Sequence, residues 1–150
     1  MKLQKIYIGS DHAGFLMKEK LKKYFDEKLI PYEDLGTYSQ EPVDYPDYAL
    51  QVAKKVAKEK DAKGILICGT GTGMVIAANK VKGIRAATAY DEYSARMSRE
   101  DNNANVLGLR ARFCPFKKIK KIVDIWIATP FSGEAKHQRR INKIKEMESK

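Results

Sequence analysis

The sequence predicts a doubly wound α/β fold: a parallel five-stranded sheet with helices on both faces, a three-layer α/β/α sandwich. Three observations carry that expectation. Short apolar runs such as GILIC (64–68) and NVLGL (105–109) alternate with segments whose apolar residues recur at helical spacing. The runs lack the apolar/polar alternation of half-exposed strands, as strands covered on both faces do. The connections between them are short, so strands joined through a helix lie parallel, with right-handed crossovers.

KIYIGSD (5–11) opens the series as a buried strand, and the helix behind it carries Met17, Leu21, Tyr24 and Phe25 on one face. After Pro31, YEDLGT supplies a short second strand. PDYALQVAKKVAKEK (46–60) follows as a helix with Ala49, Val52, Ala53, Val56 and Ala57 on its inner stripe. GILIC is the third strand, with a helix from Met74; IRAATAY (84–90) is the fourth, with a helix near 93–101; NVLGL is the fifth. Ile119, Ile122, Val123, Trp126 and Ile127 then keep the spacing of a core-facing helix. The last segment (129–150) follows proline and glycine punctuation and has only a thin apolar stripe of Ile141, Ile144 and Met147. Its helix is expected to reach a neighbouring subunit.

A length of 150 residues with 43% hydrophobic content suits one domain, 1–150, with a substantial core. No apolar run approaches a membrane span, and Asp11 comes too early for a signal peptide, so the cytoplasm is the expected compartment. Cys68 and Cys114 stand far apart without CxxC spacing, which points to free thiols rather than a disulfide framework or a zinc cage. The net charge of +10 comes from lysines dispersed along helical segments, which reads as solvated helix faces rather than a nucleic-acid footprint. An anionic small substrate fits the same charge.

In open parallel sheets, ligands bind beyond the carboxyl ends of the strands, at the switch point in strand order. The residues due there are Ser10, Asp11 and His12 after the first strand, Cys68 to Gly73 after the third, and Arg110 and Arg112 after the fifth. CGTGTGM is not a dinucleotide fingerprint, since Met74 or Ile76 stands where the third glycine belongs, and the ending of a phosphate loop is missing too. What remains is a row of unobstructed backbone N–H groups at a helix start, suited to an anion. A cysteine at the edge of such a positive field forms its thiolate more readily. A thiolate beside an amide cradle attacks a carbonyl or removes a proton next to one. The plainer reading is a small apolar residue closing a buried strand. His12 reads as a phosphate ligand or proton shuttle, and Asp11 as its companion or as a helix cap. In KHQRR, Lys136 and Arg140 are spaced to share a helix face and grip one phosphate, or simply to face solvent.

GSDHAGFLMKE, DLGTYSQEPVDYPDYA, GILICGTGTGMVIAANKVKGIRAA, NNANVL and HQRR, in this order and spacing, resemble the sugar-phosphate isomerase family of the ribose-5-phosphate isomerase B type. That family also includes the galactose-6-phosphate isomerase subunits. The likeness covers nearly the whole chain. It implies an aldose–ketose isomerase interconverting ribose 5-phosphate and ribulose 5-phosphate, with Cys68 as the base that moves a proton between C1 and C2 through an enediolate. By the same likeness Gly69, Gly71, Thr72 and Gly73 would hold the enediolate oxygens, and Thr70 would add its hydroxyl. Asp11 and His12 would contact the sugar and its phosphate, Asn102 a sugar hydroxyl, and Arg112, Lys136, His137 and Arg140 the phosphate. It also implies no metal and no cofactor, and a homodimer or tetramer in which the C-terminal arm completes a neighbour's site.

The resemblance has departures. Ribose-phosphate members carry a histidine, credited with opening the furanose ring, where this chain has Asp101; either Asp101 or another group such as His137 does that acid–base work, or the enzyme takes the linear sugar without opening a ring, or it is built for a different sugar. Lys136 replaces the family's arginine, a point charge for a rigid fork. Arg110 stands where a small residue is usual just before Arg112. Two alternatives follow: a hexose 6-phosphate isomerase of the galactose type, alone or as a subunit of a hetero-oligomer, and a noncatalytic sugar-phosphate-binding protein.

Overall fold

The computed structural model describes residues 4–149. Five strands, β1 (Ile6–Ser10), β2 (Tyr32–Asp34), β3 (Lys63–Cys68), β4 (Ala86–Thr88) and β5 (Val106–Arg110), form one sheet in the order β2-β1-β3-β5-β4. Every pairing is parallel. Between them run α1 (Phe15–Lys28), α2 (Tyr45–Lys58), α3 (Gly73–Ala78) and α4 (Glu92–Glu100), and after β5 come α5 (Phe116–Ala128) and α6 (Ala135–Met147). Among the described residues no helix is long and apolar enough to cross a membrane.

Side-chain alternation along the buried strands divides the core in two. Ile65 and Ile67 of β3 meet α1, α4 and α5 through Leu21, Phe25, Ala95, Ile122 and Trp126. Leu66 and Cys68 point the other way, to Val52 of α2 and Met74 of α3. Because the period is two, the placement of Ile67 in one layer obliges Cys68 to turn towards the other. The order reverses between β1 and β3: α1 leaves β1 on one face, α3 leaves β3 on the other, and a crevice opens at their carboxyl ends.

Several elements differ from the sequence reading. β2 keeps only three residues of YEDLGT, although Leu35, Gly36 and Thr37 still follow β1 through Leu35 N–H to Ile8 O (2.8 Å), Ser10 N–H to Gly36 O (2.7 Å) and Thr37 N–H to Ser10 O (2.8 Å). β4 is likewise shorter than IRAATAY, since only Ala86–Thr88 pairs with β5. Ala57 is exposed rather than on the inner stripe of α2, turned away from the sheet that its neighbour Val56 still meets at Gly64. α6 buries Ile141 but leaves Ile144 at 44% and Met147 at 67% exposure, so its apolar stripe is half unused within one chain.

Lys18, on the face of α1 that also buries Met17 and Leu21, is completely enclosed. Its ammonium donates at 2.7 Å to both carboxylate oxygens of Asp34 at the end of β2. Lys22 adds a 2.8 Å bond from the next turn of the helix. This ion cluster ties α1 to the sheet edge beside the crevice.

Candidate active site

The crevice holds a cavity of about 260 Å3, with Cys68, Gly69, Thr70 and Gly73 on one wall and Asp11, His12, Tyr45 and Arg112 around them. Cys68 is the last residue of β3, 4% exposed, with its sulfur at the boundary between the apolar layer and the cavity. The backbone N–H of Gly71 donates to Cys68 Sγ at 3.1 Å, so the glycine loop turns its amides back onto the thiol. Gly71 has φ +76°, and its carbonyl accepts from Thr88 Oγ1 at 2.6 Å. A side chain there is disfavoured both by that dihedral and by the Leu109 backbone, 3.0 Å from where a Cβ would sit. Thr72 N–H donates to Thr70 Oγ1 at 3.2 Å, closing the loop on itself.

Arg112 reaches the cavity through strand register. Cys68 lies opposite Arg110, and Ala111 N–H and Arg112 N–H continue the ladder to Cys68 O (2.9 Å) and Gly69 O (3.1 Å). The guanidinium then lies over Gly69, where an added Cβ would come within 2.8 Å of Nη1. A cation, a row of amides and a thiol thus share one mouth, an arrangement that receives an anionic molecule and stabilises negative charge developing on it.

Asp11 does what a capping residue does: its Oδ1 accepts from Gly14 N–H at 3.0 Å, shaping the turn into α1 while the residue lines the cavity. His12 Nδ1 accepts from Val43 N–H at 3.2 Å, which leaves Nε2 as the donor of the neutral ring. Tyr45 escaped the sequence reading. Its ring packs where a Cβ on Gly73 would lie (2.7 Å from Cζ), bringing the start of α2 over the glycine loop. No spacing rule links positions 45 and 73; the only signal is an aromatic residue next to a proline at a helix start.

The remaining site residues do not line this cavity. Asp101 and His137 form their own pair, Nε2 to Oδ1 at 3.2 Å, with the imidazole largely enclosed and the carboxylate open to solvent. Asn102 lies across the turn after α4, its carbonyl accepting from Arg85 Nε at 3.2 Å. Lys136 and Arg140 both stand exposed on α6, and Lys136 lies 3.6 Å from Glu134. Within one chain the expected site therefore falls into two groups, a thiol–amide mouth and a set on α4 and α6. Among the described residues no group of three or more His, Cys, Asp or Glu side chains is placed to hold a metal ion.

Fold and site define the class, a small α/β protein with a thiol, a glycine loop and an arginine at the switch point of a parallel sheet. Comparison with known proteins narrows it. The model for ribose/galactose isomerases matches residues 6–144. Ribose-5-phosphate isomerase B of Escherichia coli (strain K12) is 43% identical over 148 residues, covering 99% of each chain. The solved structure of Clostridium thermocellum ribose-5-phosphate isomerase B superposes with a TM-score of 0.94 at 45% identity, over 97% of this chain and 98% of that one. Ribose-5-phosphate isomerase B of Mycoplasma genitalium, solved with bound ribulose-5-phosphate, superposes with a TM-score of 0.94 at 43% identity, over 100% and 99%. The chain belongs to the ribose/galactose isomerase family.

Proposed function

We propose that this protein interconverts ribose 5-phosphate and ribulose 5-phosphate, with the Cys68 thiolate as the base. The observation that carries the reading is the amide of Gly71 on Cys68 Sγ inside a cavity that also holds Arg112. Removing a proton next to a carbonyl is costly because charge accumulates on oxygen, and preplaced N–H donors lower that cost. From the open-chain aldose, sulfur takes the C2 proton, the electron pair moves into the C1–C2 bond, and O1 gains the charge. Return of the proton to C1, with transfer of the O2 proton, gives the ketose. Gly69 to Gly73 and the Thr70 hydroxyl face the enediolate oxygens, and Asp11 and His12 hold the sugar. No redox partner enters, because the substrate oxidises one carbon and reduces its neighbour.

The second group supplies the rest. His137, paired with Asp101, has the geometry of an oriented acid–base group and takes the ring-opening role, with Asp101 as the positioning carboxylate. Asn102 meets a sugar hydroxyl, and Lys136 and Arg140 meet the phosphate with Arg112. Since none of these lines the Cys68 cavity of its own chain, they serve the mouth of a second copy, and the half-exposed stripe of α6 is the surface that copy covers. The working unit is then a homodimer or a dimer of dimers in the cytoplasm.

Incubation of the purified protein in deuterated water with ribose 5-phosphate, and in parallel with hexose 6-phosphates, tests the reading. Turnover of the pentose ester with solvent deuterium appearing at the exchanged carbon supports it. Preference for a hexose ester would replace the substrate, and tight binding without exchange would make the protein a sensor.

One substitution separates phosphate contact from folding. In Gly69→Ala the new methyl meets only the far end of Arg112, not backbone. The melting temperature should stay close to wild type while KM rises roughly tenfold, the loss of a charged hydrogen bond. An unchanged KM would remove Arg112 from phosphate binding.

A further inference from the structure

At the opposite end of the sheet, by the amino termini of the strands, lies a second polar cavity of about 130 Å3 that plays no part in the chemistry above. Lys63, the first residue of β3, lines it at 5% exposure. Among the described residues no hydrogen-bond acceptor or carboxylate is bonded to its ammonium, which lies 5.5 Å from the centroid of the Trp126 ring. Arg99 lies 5.8 Å from the same ring. It spends Nε on Thr129 O (3.1 Å) and Nη1 on Asn103 Oδ1 (2.9 Å) and Ala104 O (2.6 Å). Arg85 spends Nε and Nη2 on the carbonyls of Asn102 and Asn103. Among the described residues one terminal nitrogen of each guanidinium has no hydrogen-bond partner, Nη2 of Arg99 and Nη1 of Arg85.

Two carboxylates, Glu59 and Asp61, also line this space and offset part of its charge, leaving one cation in excess. Glu59 is engaged by the Tyr7 hydroxyl. Asp61 favours the Lys63 charge from a distance but forms no ion pair with it, and Glu148, which acts on Arg85, is bonded to Gly83 N–H. Burial and the nearby Arg99 together push Lys63 down to about 8.

We propose that this cavity is a binding site for a small oxyanion of the phosphate class, held by the Lys63 ammonium and the free guanidinium edges of Arg85 and Arg99. Its volume corresponds to roughly four waters' share of liquid, enough for a tetrahedral oxyanion, with any ester group left outside. The same two arginines hold the Asn102–Asn103 turn that follows Asp101, so an anion here stiffens the segment that presents Asp101 and Asn102.

The test reads Lys63 directly, by side-chain carbon NMR of lysine in the wild-type protein at constant ionic strength. The Lys63 signal is assigned by its loss in Lys63→Gln protein, and inorganic phosphate, but not chloride, should raise its titration midpoint, as an anion at contact distance does. A second readout isolates the site from the catalytic mouth. In Arg112→Met protein, phosphate should still raise the melting temperature, and adding Lys63→Met should abolish that rise. Lys63→Gln serves if the methionine variant does not fold. An equal rise with ribose 5-phosphate marks a phosphate ester as the source, and a rise with inorganic phosphate alone marks the free ion. A Lys63 midpoint indifferent to phosphate, or a thermal rise that survives loss of Lys63, overturns the site whatever the substrate of the isomerase proves to be.

Discussion

Cys68→Ala is expected to lower kcat for the pentose phosphate by at least roughly 10²–10⁴-fold, the contribution of a positioned proton-transfer group, while the melting temperature changes little. The two effects separate because of where the sulfur sits. It ends a buried strand, so truncation removes one heavy atom from the edge of the core and costs on the order of 1 kcal/mol. The chemistry loses its base altogether. Cys68→Ser should fare hardly better, because a serine hydroxyl in the same place is a far weaker acid than a thiol and supplies almost no anion at neutral pH. Steady-state rates and the rate of solvent-deuterium exchange into the sugar should fall together. A rate for the alanine variant equal to wild type would exclude sulfur as the base and leave the amide loop as an oxyanion site without one.

The second large effect is on stability. Asp34→Ala should destabilise the fold by about 3–5 kcal/mol, the range for removing one partner of a buried ion pair. The reason is Lys18, wholly enclosed and bonded at 2.7 Å to both oxygens of a carboxylate that also accepts from Gly36 N–H at 2.9 Å. Without Asp34 the ammonium is left in a low-dielectric setting, with the Phe15 and Tyr38 rings and Glu19 at 3.5 Å as its remaining partners among the described residues. Adding Lys18→Met to Asp34→Ala should recover a large part of the loss, which an unpaired buried charge explains and a merely weakened sheet edge does not. Chemical denaturation of wild type, Asp34→Ala, Lys18→Met and the double variant measures this coupling.

The same carboxylate makes stability depend on pH. Burial pushes the Asp34 acid up, but hydrogen bonds from Lys18, Lys22 and the Gly36 amide outweigh it, and the group ends below its ordinary value. A depressed folded-state value means that the unfolded chain binds the proton more readily. The contribution is complete above about pH 4, where both states are ionised, and is lost as pH falls through the folded-state value. Wild type and Asp34→Ala should therefore converge in stability in acid; a constant difference would show that the carboxylate's charge is not what matters.

Much of the architecture could be read locally. The uninterrupted apolar character of IYIG, GILIC and NVLG marks strands covered on both faces, and the stripe Ile119, Ile122, Val123, Trp126 marks the helix that covers one of them. Cys68 and the glycines after it were legible because a strand end, a thiol and bare backbone are adjacent in the chain. The errors fall where strands run out: β2 and β4 are shorter than their apolar residues suggest, because pairing, not composition, decides where a strand stops. Tyr45 was missed for a related reason, being joined to Gly73 only through the packing of α2 on α3.

By itself, then, the sequence determined the alternation of strands and helices, the buried side of α1, α2 and α5 in the main, and the presence of a thiol beside a glycine loop, since each depends on residues within a few positions of one another. Only the tertiary structure decided the order β2-β1-β3-β5-β4, the register that brings Arg112 over Gly69, the pairing of Lys18 with Asp34 and of His137 with Asp101, and the seclusion of Lys63 at the far end of the sheet. These are contacts between segments far apart in the chain. Periodicity tells such a segment which face to bury but not which partner it meets; that choice belongs to the packing of the whole sheet.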